Sequence, residues 1–445
     1  MSKYFGTNGI RGTIDVLTPE LAYKASYATG VYFKGGKILI ATDARLTGPI
    51  LKEKVIVGLL DAECTVFDLG GVSTPTAEFM VKKLKADGLI VITASHNPPE
   101  YNGLKIMDRN EISISKERGE EIERMIDSPP KIKMKKGAIS KHNNSINDHI
   151  EAILNQIDKN KTKGKRLLLD CANGMAATIA PYLFRELGCE VTTINSHIDG
   201  NFPGRPSEPT EANVQDLINA VKYGNYDCGI AWDGDGDRVI FVDEKGEFVI
   251  GDKVFAICEI LKLKEKSGEV VTTVATSRII EDVAKKYSSK VVFTKIGAPY
   301  LSEEMAKGKA VIGGEEVGGV IWPEVSLAKD GFLTAAKIVE ALSEKKLSKW
   351  LEDIPKYYNE KTKIAASETQ KTKIIAKMRE HAVKNKLTFI DIDGIRINFD
   401  DGWVIVRASG TENYVRVFTE AKSAKRAKDL LNDYIELVKR LLEVL

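Results

Sequence analysis

The chain is poor in cysteine: Cys64, Cys171, Cys189, Cys228 and Cys258 are the five among 445 residues. An odd number without paired spacing argues against a disulfide framework or a cysteine-ligated zinc site, and favours reduced, buried thiols. Charge of one sign is also lacking, because 65 basic residues face 63 acidic ones and leave a net charge of +2. No global field therefore holds nucleic acid or an anionic membrane surface. No apolar run approaches the roughly 20 residues that cross a bilayer, and the stretch from Met1 to Gly6 has no apolar core of signal-peptide length. Together these absences predict a soluble, cytoplasmic protein with no nucleic-acid and no membrane partner. A glycine-rich loop ending in Gly-Lys-Ser or Gly-Lys-Thr is missing as well, which disfavours a nucleotide kinase.

A hydrophobic content of 43% supplies enough apolar surface for three or four domains of about 100 to 200 residues each. Strand-like runs come in three sets of three, at 37–41, 64–67 and 88–92, at 166–169, 190–194 and 227–232, and at 269–274, 290–294 and 310–312. Helix-length segments separate them. In each set the third run leads straight into a polar loop, carrying Ser95, then Asp233, Asp235 and Asp237, then Glu315. This threefold echo predicts three similar α/β domains with mixed sheets whose strand ends converge on a central cleft. Short runs at 389–392, 395–398, 403–406 and 414–418, followed by an amphipathic helix from about Ser423, predict a C-terminal α+β domain. The expected boundaries are 1–140, 141–245, 246–355 and 356–445. Near the first boundary lies a lysine-rich run, Lys131 to Lys136. Lacking interleaved aromatics, it reads as a solvated linker rather than a nucleic-acid patch; a helix is expected near 148–157.

Three stretches carry chemistry. Ser95 sits where the apolar run 88–92 stops and Pro98 and Pro99 break regular structure. At such a strand end His96, Asn97 and Lys105 can supply a base, a donor and a positive charge to a phosphate ester on Ser95, and a plain turn is the competing reading. Asp233, Asp235 and Asp237 put three carboxylates within five residues, with Gly234 and Gly236 freeing the backbone between them. Such hard oxygen ligands suit magnesium. A calcium loop ending at Glu244 fits worse, because Arg238 stands where glycine is needed and both flanks look like strands; a solvated acidic turn is the other alternative. Third, Arg407-Ala-Ser-Gly-Thr411 joins a forked guanidinium, two hydroxyls and a glycine amide, a combination suited to a dianionic phosphate. Arg416 follows on a strand whose facing is open. Arg11, between the glycines of Phe5-Gly-Thr-Asn-Gly-Ile-Arg-Gly12, is free to approach a ligand, and Arg45 is a weaker candidate.

Thr93-Ala-Ser-His-Asn-Pro98 resembles the phosphoserine loop of the α-D-phosphohexomutases. Phe5–Gly12, Asp233–Arg238, Gly314-Glu-Glu-Val-Gly-Gly319 and Arg407–Glu412 resemble that family's other motifs, in the same order and over nearly the whole chain. The resemblance implies an isomerase, an intramolecular phosphotransferase that interconverts hexose 1-phosphate and hexose 6-phosphate through phospho-Ser95 and a bound 1,6-bisphosphate. Hexose 1,6-bisphosphate would also serve as activator. It further implies Mg2+ on Asp233, Asp235, Asp237 and a phosphate oxygen of Ser95, with Arg11 near the transferring group and Arg238 over the substrate. Lys295 would face the hexose and Glu315 would accept from two vicinal hydroxyls. Arg407, Ser409, Gly410 and Thr411 would hold the non-reacting phosphate. Proton transfer is expected from Lys105, its pKa lowered among positive groups, with His96 beside it. The chain departs from the common pattern at Val317, Gly319 and Asn413, where serine, histidine and proline are usual. The hexose thus stays open among glucose, mannose and glucosamine, so a phosphoglucosamine mutase is the alternative. A magnesium-dependent phosphatase and a non-catalytic sugar-phosphate binder are the alternatives of other classes. A monomer or a homodimer is expected.

Overall fold

The computed structural model describes residues 3–6, 8–130, 137–410 and 412–444. Among them the strands form four sheets. The run Lys131 to Lys136 and the site candidate Thr411 lie outside the described residues.

The first sheet holds β1 (Phe5–Gly6), β2 (Gly9–Thr13), β3 (Lys37–Thr42), β4 (Thr65–Gly71), β5 (Gly88–Ile92), β6 (Tyr101–Asp108) and β7 (Ala138–Lys141) in the order β1-β2-β6-β5-β3-β4-β7. The second holds β8 (Arg166–Asp170), β9 (Glu190–Ile194), β10 (Cys228–Trp232), β11 (Val239–Asp243) and β12 (Phe248–Val249) in the order β12-β11-β10-β8-β9. The third holds β13 (Glu269–Thr273), β14 (Val291–Thr294), β15 (Ala310–Glu315) and β16 (Gly319–Ile321) in the order β14-β13-β15-β16. A common kernel repeats three times. Three strands run parallel with the third and second flanking the first, and the third then turns back into an antiparallel neighbour: β5 into β6, β10 into β11, β15 into β16. Each of the three predicted site loops is that turn.

The inner strands β3, β5, β8, β10 and β13 are buried by helices on both faces, so they read as continuous apolar runs rather than alternating ones. Thr74–Lys83 covers one face of the first sheet over Leu39, Leu89 and Val91, and Pro19–Tyr32 with Gly48–Asp61 covers the other over Ile38, Ile40 and Ile90. The second and third units share one apolar cluster, in which Trp232 stacks on Phe332 with centroids 5.7 Å apart and donates through Nε1 to Gly331 O at 3.1 Å. Buried polar links add to it. His149 bridges Thr76 Oγ1 at 3.0 Å and Asp330 Oδ2 at 2.9 Å, joining elements far apart in the chain. The fourth sheet is antiparallel, β17 (Tyr358–Ala365), β18 (Thr388–Ile390), β19 (Ile395–Phe399), β20 (Gly402–Ala408) and β21 (Tyr414–Ala421) in the order β17-β21-β20-β19-β18, with helices Glu368–Lys384 and Ala424–Val444 against it. It docks on the third unit through Trp403 and Ile405 against Val274.

The expected architecture of three similar α/β domains and an α+β domain is the one observed. Two local readings need correction. The segment around Arg11 is not only a turn: Arg11 lies on β2 and pairs with Gly103 of β6. Regular structure also resumes directly after Pro98 and Pro99, so Lys105 reaches the site from β6, opposite Val91. Both prolines sit before the first ladder position of β6, where their missing N–H costs nothing. All five cysteines are buried and unpaired. Among the described residues no helix is long and apolar enough to cross a membrane.

Candidate active site

Ser95 has φ +53°, a left-handed conformation that is uncommon for a residue with a side chain. Three contacts hold it there. Its N–H donates to Thr93 Oγ1 at 2.9 Å, Thr93 in turn donates to Asp43, and Arg45 gathers the loop's carbonyls. Arg45 Nη2 donates to Ser95 O at 2.9 Å and to Asn97 O at 2.6 Å, and Nη1 to Pro98 O and to Tyr101 O, while Nε pairs with Asp43. Arg45 is 1% exposed. It is therefore the clamp of the serine loop, a role that the sequence does not reveal because a loop arginine after a strand is usually solvated.

The left-handed turn aims Ser95 Oγ at Asp233 Oδ2, 2.7 Å away. The two loops meet backbone to backbone: a Cβ on Gly234 would lie 2.7 Å from Ser95 O. Asp233, Asp235 and Asp237 are all buried, and one oxygen of each lies within 4.8 Å of the others. Asp233 Oδ1 accepts from the N–H of Gly236 and of Arg238. Asp235 Oδ2 accepts from Lys105 Nζ at 2.6 Å and Thr74 Oγ1 at 2.5 Å, and Asp237 Oδ2 from Lys105 Nζ at 3.1 Å. Oδ1 of Asp235 and Oδ1 of Asp237 are buried without a hydrogen-bond partner among the described residues. Two desolvated carboxylate oxygens without hydrogen bonds beside a third carboxylate are a costly arrangement that a bound cation relieves. The donor set thus fits a hard divalent ion. Glu244 is not part of it, since its carboxylate accepts from Ser348 Oγ at 2.6 Å, which removes the calcium-loop alternative.

The titrations follow from this packing. Burial, then Asp235 and Asp237, raise Asp233 to about 7. Asp237 is held well below the usual carboxylate range, because Lys105, Lys329 and Arg238 outweigh its burial. The expectation for Lys105 is corrected: burial alone lowers its pKa, but Asp235, Asp237 and Glu78 surround it and push it above the ordinary lysine range. Its nearest partners are carboxylates, and they outweigh the Lys329 ammonium that shares Asp237 Oδ2. His96 behaves oppositely. Burial, then Arg238 and Arg11, lower it to about 2, so its imidazole is neutral, with Nδ1 3.4 Å from Ser95 Oγ.

A cavity of about 580 Å³ opens over these loops. Of the predicted residues Arg11, Ser95, His96, Lys105, Asp237, Arg238, Glu315, Arg407, Ser409 and Gly410 line it, so the first, second, third and fourth units all contribute. Arg11 Nη1 donates to Asn97 Oδ1 at 2.5 Å. Arg407 is aimed by Asp393, whose Oδ1 accepts from Nε at 2.9 Å and whose Oδ2 accepts from Ile296 N of the third unit. Asp233 and Asp235 lie deeper. Lys295 does not line the cavity: its ammonium pairs with Glu117 Oε1 at 2.9 Å and is half-exposed. Arg416, of open facing in the sequence, does line the cavity, and its Nε is buried without a hydrogen-bond partner among the described residues. Glu316 and Lys329 also line the cavity without having been anticipated. Glu316 stands inside the Gly314–Gly319 motif next to Glu315 but carried no assigned role, whereas Lys329 belongs to no such pattern, and only the fold brings it beside Glu315.

Comparison with known proteins covers the whole chain. Models described as phosphoglucomutase/phosphomannomutase, alpha/beta/alpha domain I, domain II and domain III match residues 2–133, 147–246 and 250–358, and the model for the C-terminal domain matches 359–437. A protein of Thermococcus kodakarensis named phosphoglucomutase/phosphomannomutase is 42% identical over 100% of this chain and 99% of its own length. A phosphoglucosamine mutase of Methanocaldococcus jannaschii is 37% identical over 100% of both. The crystal structure of a phosphoglucomutase/phosphomannomutase family protein from Burkholderia thailandensis superposes with a TM-score of 0.89 at 27% identity, covering 98% of this chain and 96% of that one.

Proposed function

The chain belongs to the phosphoglucomutase/phosphomannomutase family and is a phosphohexomutase, and from that premise we propose that it interconverts hexose 1-phosphate and hexose 6-phosphate through a phosphoserine at Ser95. The observation that carries this reading is the convergence in one cavity of a hydroxyl 2.7 Å from a buried aspartate cluster and, from the far end of the chain, an arginine–serine–glycine loop. A hydrolase has no need of the second feature. A phosphoryl shuttle does, because the substrate's other phosphate must be held while the first reacts.

Phospho-Ser95 gives its phosphoryl group to the free hydroxyl of a bound hexose monophosphate. The O–P bond to Ser95 breaks, a bond to the sugar oxygen forms, and the proton that the sugar hydroxyl loses ends on the departing Ser95 Oγ. The resulting 1,6-bisphosphate turns over in the cavity and returns its other phosphoryl group to Ser95, so hexose 1,6-bisphosphate also serves as activator. Arg407, Ser409 and Gly410 hold the non-reacting phosphate in both orientations, with Thr411 of the same loop. Arg416 joins them through its unpaired Nε. Asp233, Asp235 and Asp237, with the phosphoryl group on Ser95, hold Mg2+. When bound, the ion neutralises charge that builds up in a loose transition state. Arg11 and Arg238 flank the transferring group. Lys105, pinned between two aspartates, acts as a fixed cation, and the neutral imidazole of His96 lies beside the reacting serine, with Nδ1 3.4 Å from Ser95 Oγ. Glu315 accepts from sugar hydroxyls, and Lys295 reaches the hexose only after leaving Glu117.

The presence of a phosphoglucosamine mutase among the relatives favours a second reading, in which glucosamine 6-phosphate is the substrate. Assaying the purified protein side by side on the glucose, mannose and glucosamine phosphates, with a trace of bisphosphate, tests both. Isomer exchange with Mg2+ is expected, lost in Ser95→Ala while phosphosugar binding persists. Turnover unchanged by that substitution removes Ser95 from the reaction, and net release of inorganic phosphate makes the protein a phosphatase instead.

A further inference from the structure

Lys329 is a cation that no motif announces. Its side chain is 6% exposed, and its Nζ lies 2.7 Å from Glu315 Oε1 and 3.5 Å from Asp237 Oδ2. It therefore spans the carboxylate assigned to the sugar and one of the carboxylates assigned to the metal. The second oxygen of Glu315 receives no hydrogen bond from the described residues, so that Lys329 occupies one oxygen and leaves the other for a ligand.

The backbone under Lys329 is held from several sides. Lys329 makes an antiparallel bridge with Ile321, and the next residue donates from its N–H to Val320 O at 2.9 Å. That residue, Asp330, also caps the helix Gly331–Ala341 by accepting from Phe332 N and Leu333 N, and its other oxygen meets His149. The lysine stem passes directly over Gly319. A Cβ there would lie 2.4 Å from Lys329 Cδ and 3.3 Å from Glu315 Oε1. Glycine at 319 and lysine at 329 are thus one arrangement: the missing side chain admits the stem, and the ammonium neutralises a carboxylate that Glu316 and Asp237 would otherwise repel.

We propose that Lys329 is a positioning residue for sugar recognition: through the space left by Gly319 it holds Glu315 in the rotamer that reads a hexose hydroxyl, and ties that carboxylate to the metal loop at Asp237. The proposal rests on the phosphohexomutase reading above and deepens it. Its signature is selective. Loss of Lys329 lets Glu315 turn away from the sugar, so the penalty for a missing hydroxyl shrinks, whereas a residue that merely supports the fold lowers all substrates alike.

The test measures kcat/KM and, by calorimetry, Kd for hexose 1-phosphate and for analogues each lacking one ring hydroxyl, in the wild type, Lys329→Met, Lys329→Arg, Gly319→Ala and the Lys329→Met/Gly319→Ala pair. In the wild type one analogue is disfavoured most; in Lys329→Met that penalty falls by about tenfold. Gly319→Ala reproduces the fall by displacing the stem, and the double variant is no worse than the worse single, because both act through the same contact. Lys329→Arg, which keeps the charge, recovers part of the discrimination. Thermal midpoints identify any variant that fails to fold. Equal losses on all analogues in a folded Lys329→Met, wild-type discrimination in it, or additive effects in the double variant overturn the proposal. A wild type that binds but does not turn over sinks the mutase reading, while the Kd ratios still judge Lys329.

Discussion

Gly234→Ala probes whether the serine loop and the aspartate loop act as one unit. The added Cβ would stand 2.7 Å from Ser95 O, where 3.4 Å is the start of ordinary contact, so the two backbones must part by about 0.7 Å. The opposing atom is a carbonyl held by Arg45 and cannot swing aside as a side-chain end would. Gly234 is not among the glycines with positive φ, so alanine adds no backbone strain of its own. Overpacking of this kind costs about 1–3 kcal/mol of stability, but the larger effect falls on chemistry. Moving a reacting group by the better part of an ångström costs on the order of 100-fold in rate. The expected result is a folded protein with kcat down about 100-fold, KM little changed, and weaker Mg2+ activation. It is measured by steady-state mutase kinetics over a magnesium titration, with the thermal midpoint as control. A folded Gly234→Ala with wild-type kcat would refute the packing argument.

Arg407→Met removes a forked guanidinium from the clamp. It should raise KM for hexose phosphates by roughly 100-fold, the worth of a pair of charge-assisted hydrogen bonds, and isothermal titration with hexose 1-phosphate checks it; an unchanged Kd excludes the clamp. Magnesium binding should release a proton in a pH-dependent way. Asp233 stays protonated below about 7 without a cation, and the ion needs the carboxylate, so the proton leaves on binding below that pH and no longer does above it. Calorimetry in buffers of different ionisation enthalpy should find about one proton released at pH 6 and close to none at pH 8; a pH-independent count would contradict the assignment. Chelation with EDTA should abolish turnover and Mg2+ restore it, with circular dichroism unchanged throughout.

The fold was largely legible because the strands of the three α/β units are apolar on both sides and short, and each third strand stops at a polar loop. The segments missed were those whose identity is set by tertiary pairing. Gly9–Thr13 has too many glycines to read as a strand, and it becomes one only because β6 offers its edge. β7 is exposed along its whole length and carries no apolar pattern. At the site, dense motifs were readable because several reactive side chains within a few residues are rarely accidental. Lone cations were not. Arg45 and Lys329 resemble ordinary surface residues until the fold buries them, and Arg416 does so until the fold sets it on the cavity wall. Lys295 shows the converse, a motif residue that the structure pairs with Glu117 outside the cavity. The electrostatics of Lys105 were misjudged for a related reason, since the sequence shows the basic residues near it but not the aspartates that arrive from another domain.

The central claim is that Ser95 lends a phosphoryl group to the sugar and takes another back. The most direct measurement labels the phosphoryl group on Ser95 isotopically, mixes the phosphoprotein with unlabelled hexose 1-phosphate and Mg2+, and follows the label after rapid quenching. The label should leave the protein for hexose bisphosphate and then hexose 6-phosphate, while unlabelled phosphate replaces it on Ser95. Label that stays on Ser95 through many turnovers, or that departs as inorganic phosphate, would contradict the account.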